Sequence, residues 1–147
     1  MAMRKMANHQ VGESSDDLRH WLESLDGCPT ISVTRLAHCE NPTHGDEAPT
    51  WFYVEGDAAE GVARRRCLSC GSVKHILDSE ERWNHPPMHS CATCGQSMFE
   101  LAAGFHVVEG SVDWLALGVR CVGCGMLAGL TDMHADSMPL PDATSSI

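Results

Sequence analysis

The chain has 147 residues, with 10 Lys+Arg against 20 Asp+Glu, 8 Cys, 9 His and a formal charge of −10. That length fits one ordinary domain or two very small ones, and no run approaches the roughly 18 apolar residues of a membrane span. The acidity disfavours a protein that holds nucleic acid mainly by neutralising phosphates, and 5% aromatics argues against one large aromatic core.

Residues 1–13 carry no hydrophobic periodicity and read as a disordered N-terminus. From Ser14 the pattern changes: Leu18, Trp21, Leu22 and Leu25 form one stripe of a helix over 14–27. Ser14 or Ser15 can cap it, Asp16 and Asp17 suit its first turn, and Gly27 with Pro29 ends it. A helix this short is not stable alone in water, so the stripe either packs on the unit that follows or offers Trp21 to a partner as an anchor. Residues 30–36, with Ile31 and Val33, read as a strand. Two stretches, 28–78 and 91–131, hold all eight cysteines and are read as two small units. Between them, 79–90 is charged and then contains Pro86-Pro87, the composition of a linker, in which Trp83 reads as a lid on a small core. The last segment, 132–147, with Pro139, Pro141 and Ser145-Ser146, reads as a disordered tail.

Six cysteines fall in three pairs of one spacing, Cys67/Cys70, Cys91/Cys94 and Cys121/Cys124, each followed by a glycine: Gly71, Gly95 and Gly125. No apolar leader is evident, so the expected compartment is the reducing cytoplasm, where such pairs bind metal rather than form disulfides. Two thiolates at this spacing reach one tetrahedral ion, and glycine takes the positive φ that turns the chain away. A repeat accompanies the pairs. Val54-Glu55-Gly56 precedes Arg66-Cys67 as Val108-Glu109-Gly110 precedes Arg120-Cys121, in register at an offset of 54 residues. Each block reads as a strand, a turn at Glu-Gly, a second strand and a knuckle, which is the second half of a zinc ribbon.

Each ribbon then needs a first ligand pair. Cys91 and Cys94 supply it for the C-terminal copy, giving site B as Cys91, Cys94, Cys121 and Cys124. For site A, Cys39 and His44 join Cys67 and Cys70 at a comparable spacing; Cys28 in place of His44 is the rival, and His38 a further alternative. Units of this size have marginal cores, so metal is needed energetically: structural zinc contributes roughly 10–16 kcal/mol in finger peptides. The expected fold is small, zinc-stabilised and β-rich (α+β), two tandem zinc ribbons with a short N-terminal helix, binding two Zn2+ as a monomer.

No zinc-protease, phosphate-loop, dinucleotide or nucleophile-elbow motif is present, and both expected sites are closed by four protein ligands, so no enzyme is expected. Arg64, Arg65 and Arg66 form the one basic cluster on an acidic background. They either balance the thiolates or contact an RNA, DNA or acidic protein partner. The leading expectation is an interaction module for a protein partner; a thiol-based redox or zinc switch, and nucleic-acid binding through Arg64–Arg66, are the alternatives. The knuckles resemble those of the broad zinc-ribbon class over residues 28–130. In size and repeated cysteine pairs the chain also resembles mycobacterial zinc-responsive factors that recruit a hibernation-promoting factor to ribosomes. That resemblance implies a non-catalytic adaptor coupling zinc status to translation, with a ribosome-associated partner.

Overall fold

In the computed structural model the described residues are 4–6, 9–25, 30–40 and 51–147. The elements are β1 (Arg4–Met6), β2 (His9–Val11), α1 (Ser15–Glu23), β3 (Val33–Leu36), β4 (Phe52–Asp57) and β5 (Val62–Cys67), followed by β6 (Val73–His75), β7 (Phe99–Val108), β8 (Ser111–Cys121), β9 (Met126–Pro139) and α2 (Leu140–Ser145). Among the described residues nine strands form one sheet in the order β1-β2-β9-β8-β7-β4-β5-β6, with β3 paired to β7. Every ladder is antiparallel.

Two hairpins build its centre. In the first, Asp57 Oδ1 accepts from the N–H groups of Ala59 and Glu60, and Gly61, at φ +64, returns its N–H to Asp57 O. An Asp that opens a loop and a Gly that closes it are the standard turn chemistry. In the second, Glu109 and Gly110 have φ of 51° and 80°. Positive φ at both central residues matches a two-residue turn to the twist of its strands. The Glu-Gly turn expected in both copies is therefore present only in the second. In the first, Glu55 and Gly56 lie within β4, opposite Arg64 and Ala63. The sequence repeat aligns the knuckles correctly and the strands wrongly, because the hairpins differ in length.

After each hairpin the chain passes through a knuckle and adds a third strand. β6 returns beside β5, with Arg66 opposite Val73, and β9 returns beside β8, with Arg120 opposite Leu127. Phe52 pairs with Cys67, Phe99 with Cys121, and Phe52 with Phe99. The units β4–β5–β6 and β7–β8–β9 thus meet first strand to first strand, in one sheet. Residues 79–90 do not link separate domains as expected. His89 N–H donates to Val54 O, Met88 bridges Glu55, and Arg82 donates to the Glu60 and Gly61 carbonyls. Trp83 lies 4.5 Å from the Arg64 guanidinium and edge-on to His75.

The main core lies on one side of this sheet. Phe52, Val54, Phe99, Leu101, Phe105, Leu115 and Leu117 are fully covered there. β9 curls over β4 and β5, placing Leu130 against Gly56. On the opposite face α1 buries Leu18 and Leu22 against Ala102, Ala116 and Leu127. Ser14 caps the helix by accepting from Asp17 N–H, as expected, and the helix ends at Glu23. Its seat is β7 and β8 of the second unit together with β3, where Arg19 donates to Thr34 Oγ1. Gly118 makes room: a Cβ there would stand 2.9 Å from Leu22 and 3.2 Å from Trp21. Periodicity identifies which face of a helix is buried, but not which strands leave a groove for it.

Both termini differ from expectation. β1 and β2 form a hairpin whose Gln10 and Val11 pair with Leu127 and Met126. β9 continues to Pro139, and α2 buries Ala143 while Ile147 is covered beyond it. Thr131, Met133 and Ala135 point inward while Asp132, His134 and Asp136 face solvent. This period-two pattern escapes notice because two of its three inward residues are small or polar. No helix among the described residues is long and apolar enough to cross a membrane.

Candidate metal centres

The three Cys-x2-Cys-Gly segments adopt one local structure. Gly71, Gly95 and Gly125 donate their N–H groups to the carbonyls of Cys67, Cys91 and Cys121, at 2.8–2.9 Å, and all three glycines have φ between 75° and 82°. Nothing lies within 4 Å of a Cβ built on Gly71 or Gly95. Glycine is needed at those two for its backbone and not for space.

At site B the knuckle 91–94 precedes β7 and the knuckle 121–124 follows β8, and the β7–β8 ladder holds them face to face. All four Sγ atoms lie within 4.8 Å of one another. Cys91 Sγ is 3.5 Å from Cys124 Sγ, and Cys94 Sγ is 3.5 Å from Cys121 Sγ. Sulfurs set about 2.3 Å from a tetrahedral ion stand about 3.8 Å apart, so the cluster has the size of a one-ion site. Cys91 and Cys121 are buried and Cys94 is exposed. Burial acts to push the Cys91, Cys121 and Cys124 thiols up. At Cys91 the backbone N–H groups of Cys94 and Thr93 outweigh burial, and its pKa falls to about 7. At Cys124 burial and the neighbouring thiols dominate, and its pKa is pushed up to about 12. Four adjacent thiols cannot all ionise by themselves; a cation among them removes that penalty.

Site A is built the same way from the 67–70 knuckle after β5 and from Cys39, three residues past β3. The Sγ atoms of Cys39, Cys67 and Cys70 form a second group within 4.8 Å, with Cys39 Sγ 3.7 Å from Cys70 Sγ. The His38 ring is not in this group; its carbonyl instead accepts from Arg65. His44 and Cys28, the other expected ligands, lie outside the described residues. Both groups can hold a metal ion. They are separate sites: Cys67, Phe52, Phe99 and Cys121 form one row across the sheet, three strand spacings or roughly 14 Å from end to end. β5 and β8 run in opposite directions, so the knuckles leave that row toward opposite ends.

The expected arginine patch is not assembled. Arg64 makes a two-bond ion pair with Glu55, at 3.0 and 2.7 Å. Arg65 is 3% exposed, stacks 4.7 Å from the Phe52 ring and donates to Ile147 O and His38 O. Only Arg66 of the three faces solvent. Trp21 is half-buried in the α1 core. Two contacts that the sequence did not suggest border the sites. Met126 Sδ lies 3.9 Å from Cys91 Sγ, and Lys74 Nζ is 2.7 Å from Glu40 Oε1, beside Cys39. Compared with known proteins, the chain matches no protein family, no curated protein and no solved structure.

Proposed function

We propose that this chain is a non-catalytic zinc protein, two zinc ribbons fused through one sheet, that serves as an adaptor for a protein partner. The observation that supports it most is the gathering of Cys91, Cys94, Cys121 and Cys124 sulfurs from two knuckles within 4.8 Å. An all-sulfur tetrahedral set selects zinc or iron, and zinc asks nothing of the site beyond that geometry. Four protein ligands leave no position for a reactive water, which is the arrangement of structural metal. The charge of −10 suits a basic partner.

Native mass spectrometry under reducing conditions, with elemental analysis, tests the metal reading. Two zinc ions per chain are expected. Iron, or no metal with disulfides that form once the reductant is removed, would overturn it. The second outcome belongs to the other reading, a thiol switch, which the 3.5 Å approaches of Cys91 to Cys124 and Cys94 to Cys121 support. Zinc-bound thiolates are passivated, so that switch would act only after metal loss. The adaptor role suggested by zinc-responsive ribosome hibernation is tested by co-sedimentation with ribosomes. Absence of binding in both zinc-loaded and chelated forms would remove it.

A further inference from the structure

Two cations beside the first cysteine cluster do the same unusual thing. Arg65, two residues before Cys67, donates to His38 O on one side of Cys39 and to Ile147 O at 2.6 Å. Lys74, past the knuckle, pairs with Glu40 on the other side of Cys39 and donates to Ser145 O. Each cation therefore ties the Cys39 segment to the end of the chain. Ala143 and Ile147 of that end are buried in the main core.

Apart from these clasps, the segment is held by packing of Leu140, Ala143 and Ile147 on the main core. α2 has six residues, its N-cap is Pro139 and no side chain caps it, and Leu140 N–H reaches Gly110 O. A helix that short has no stability of its own. Arg65 is buried, and it donates to the main-chain oxygens of His38 and Ile147. A buried guanidinium needs a counter-charge. The Glu40 carboxylate, and after it the Cys39 and Cys67 sulfurs, lie close enough to act on it. Three or four thiolates around a divalent ion keep a net negative charge, and they are held together as a group only while the ion is bound.

We propose that residues 140–147 form a latch that is closed by the metal at the Cys39, Cys67 and Cys70 cluster, with Arg65 and Lys74 as its clasps. The proposal rests on the metal reading of that cluster and adds a regulation to it. Losing the ion frees the Cys39 segment, loosens both clasps and uncovers the apolar seat of Ala143 and Ile147. By linkage, weakening the latch must weaken metal binding at the same site.

Hydrogen–deuterium exchange and native mass spectrometry on the same full-length samples test this. Cys70→Ser is expected to lose one zinc ion and to raise exchange in 140–147 about tenfold or more, with β7 and β8 unchanged. Lys74→Ala keeps every ligand, so it decides the matter should Cys70→Ser not fold. It is expected to raise exchange in the same segment and to lower the chelator concentration that removes the first ion about fivefold. Loss of an ion in Cys70→Ser with 140–147 as protected as before overturns the latch and leaves the zinc reading intact. Unchanged exchange and chelator midpoint in Lys74→Ala overturn the latch as well. A wild-type chain that binds no ion overturns both.

Discussion

At His89 a single side chain sets a pH response. Its ring is 5.0 Å from that of Phe99, and its Nε2 is buried without a hydrogen-bond partner among the described residues. Burial holds the imidazole below its ordinary 6.5. The unfolded chain takes this proton more readily. Stability from His89 is therefore complete above pH 6.5 and declines as the pH falls below it. Protonation of metal-bound thiolates acts with the same sign. His89→Phe removes only the first contribution: its urea midpoint is expected to fall less than that of the wild type between about pH 7.5 and about pH 5.5. Equal losses would mean that His89 is not part of the response. Arg120 is a second decisive residue. It pairs with Glu100 at 2.8 Å and donates to Gly12 O and Glu13 O, while Ser15 donates to the other Glu100 oxygen. Arg120→Met leaves a buried carboxylate unpaired, at an expected cost of about 3–5 kcal/mol in equilibrium unfolding.

Among the elements, α1 and the β7–β8 hairpin depend on each other. Leu22 is fully buried in the seat formed by Ala102, Ala116 and Gly118. Leu22→Ala is expected to cost about 2–5 kcal/mol, because the small residues beneath it cannot collapse into the space. The hairpin tip is a different kind of requirement. Gly110 has φ +80 with nothing within 4 Å of its missing Cβ. Gly110→Ala should therefore cost about 1–2 kcal/mol through backbone strain alone, without disturbing the core. Gly56 carries the same Glu-Gly signature yet lies in a strand against Leu130. The two glycines thus do unlike work, one in conformation and one in packing.

Over the whole molecule, the fusion of both units into one sheet couples them, so loss of both ions, unlike loss of the first alone, is expected to unfold them together. Structural metal sites contribute roughly 10–16 kcal/mol, as much as the roughly 5–15 kcal/mol net stability of an ordinary domain. Removing all metal by chelation under reducing conditions is expected to abolish the native near-ultraviolet circular dichroism in one transition. Restoring zinc should recover it. Two separated losses would show that the Phe52–Phe99 junction does not couple the units, and a retained signal would show that the core suffices without metal.

The sequence by itself determined the three knuckles, the grouping of Cys91, Cys94, Cys121 and Cys124, that of Cys39, Cys67 and Cys70, and the buried face of α1. These are local facts: a two-residue spacing, a positive-φ glycine and a 3.6-residue period are written in neighbouring positions. It did not determine the strands at either end, since His9–Val11 and Thr131–Ala135 gain their order only by pairing across the sheet with residues far away in the chain. Nor could it tell that Arg64 and Arg65 point to partners inside the molecule rather than outside it. Only tertiary structure decided that the two units share one sheet, that α1 lies on β3, β7 and β8, and that Arg65 and Lys74 tie the segment around Cys39 to Ser145 and Ile147. Those outcomes depend on which small residues leave room and which buried charges need a neighbour, and both are set by contacts between segments that are distant in sequence.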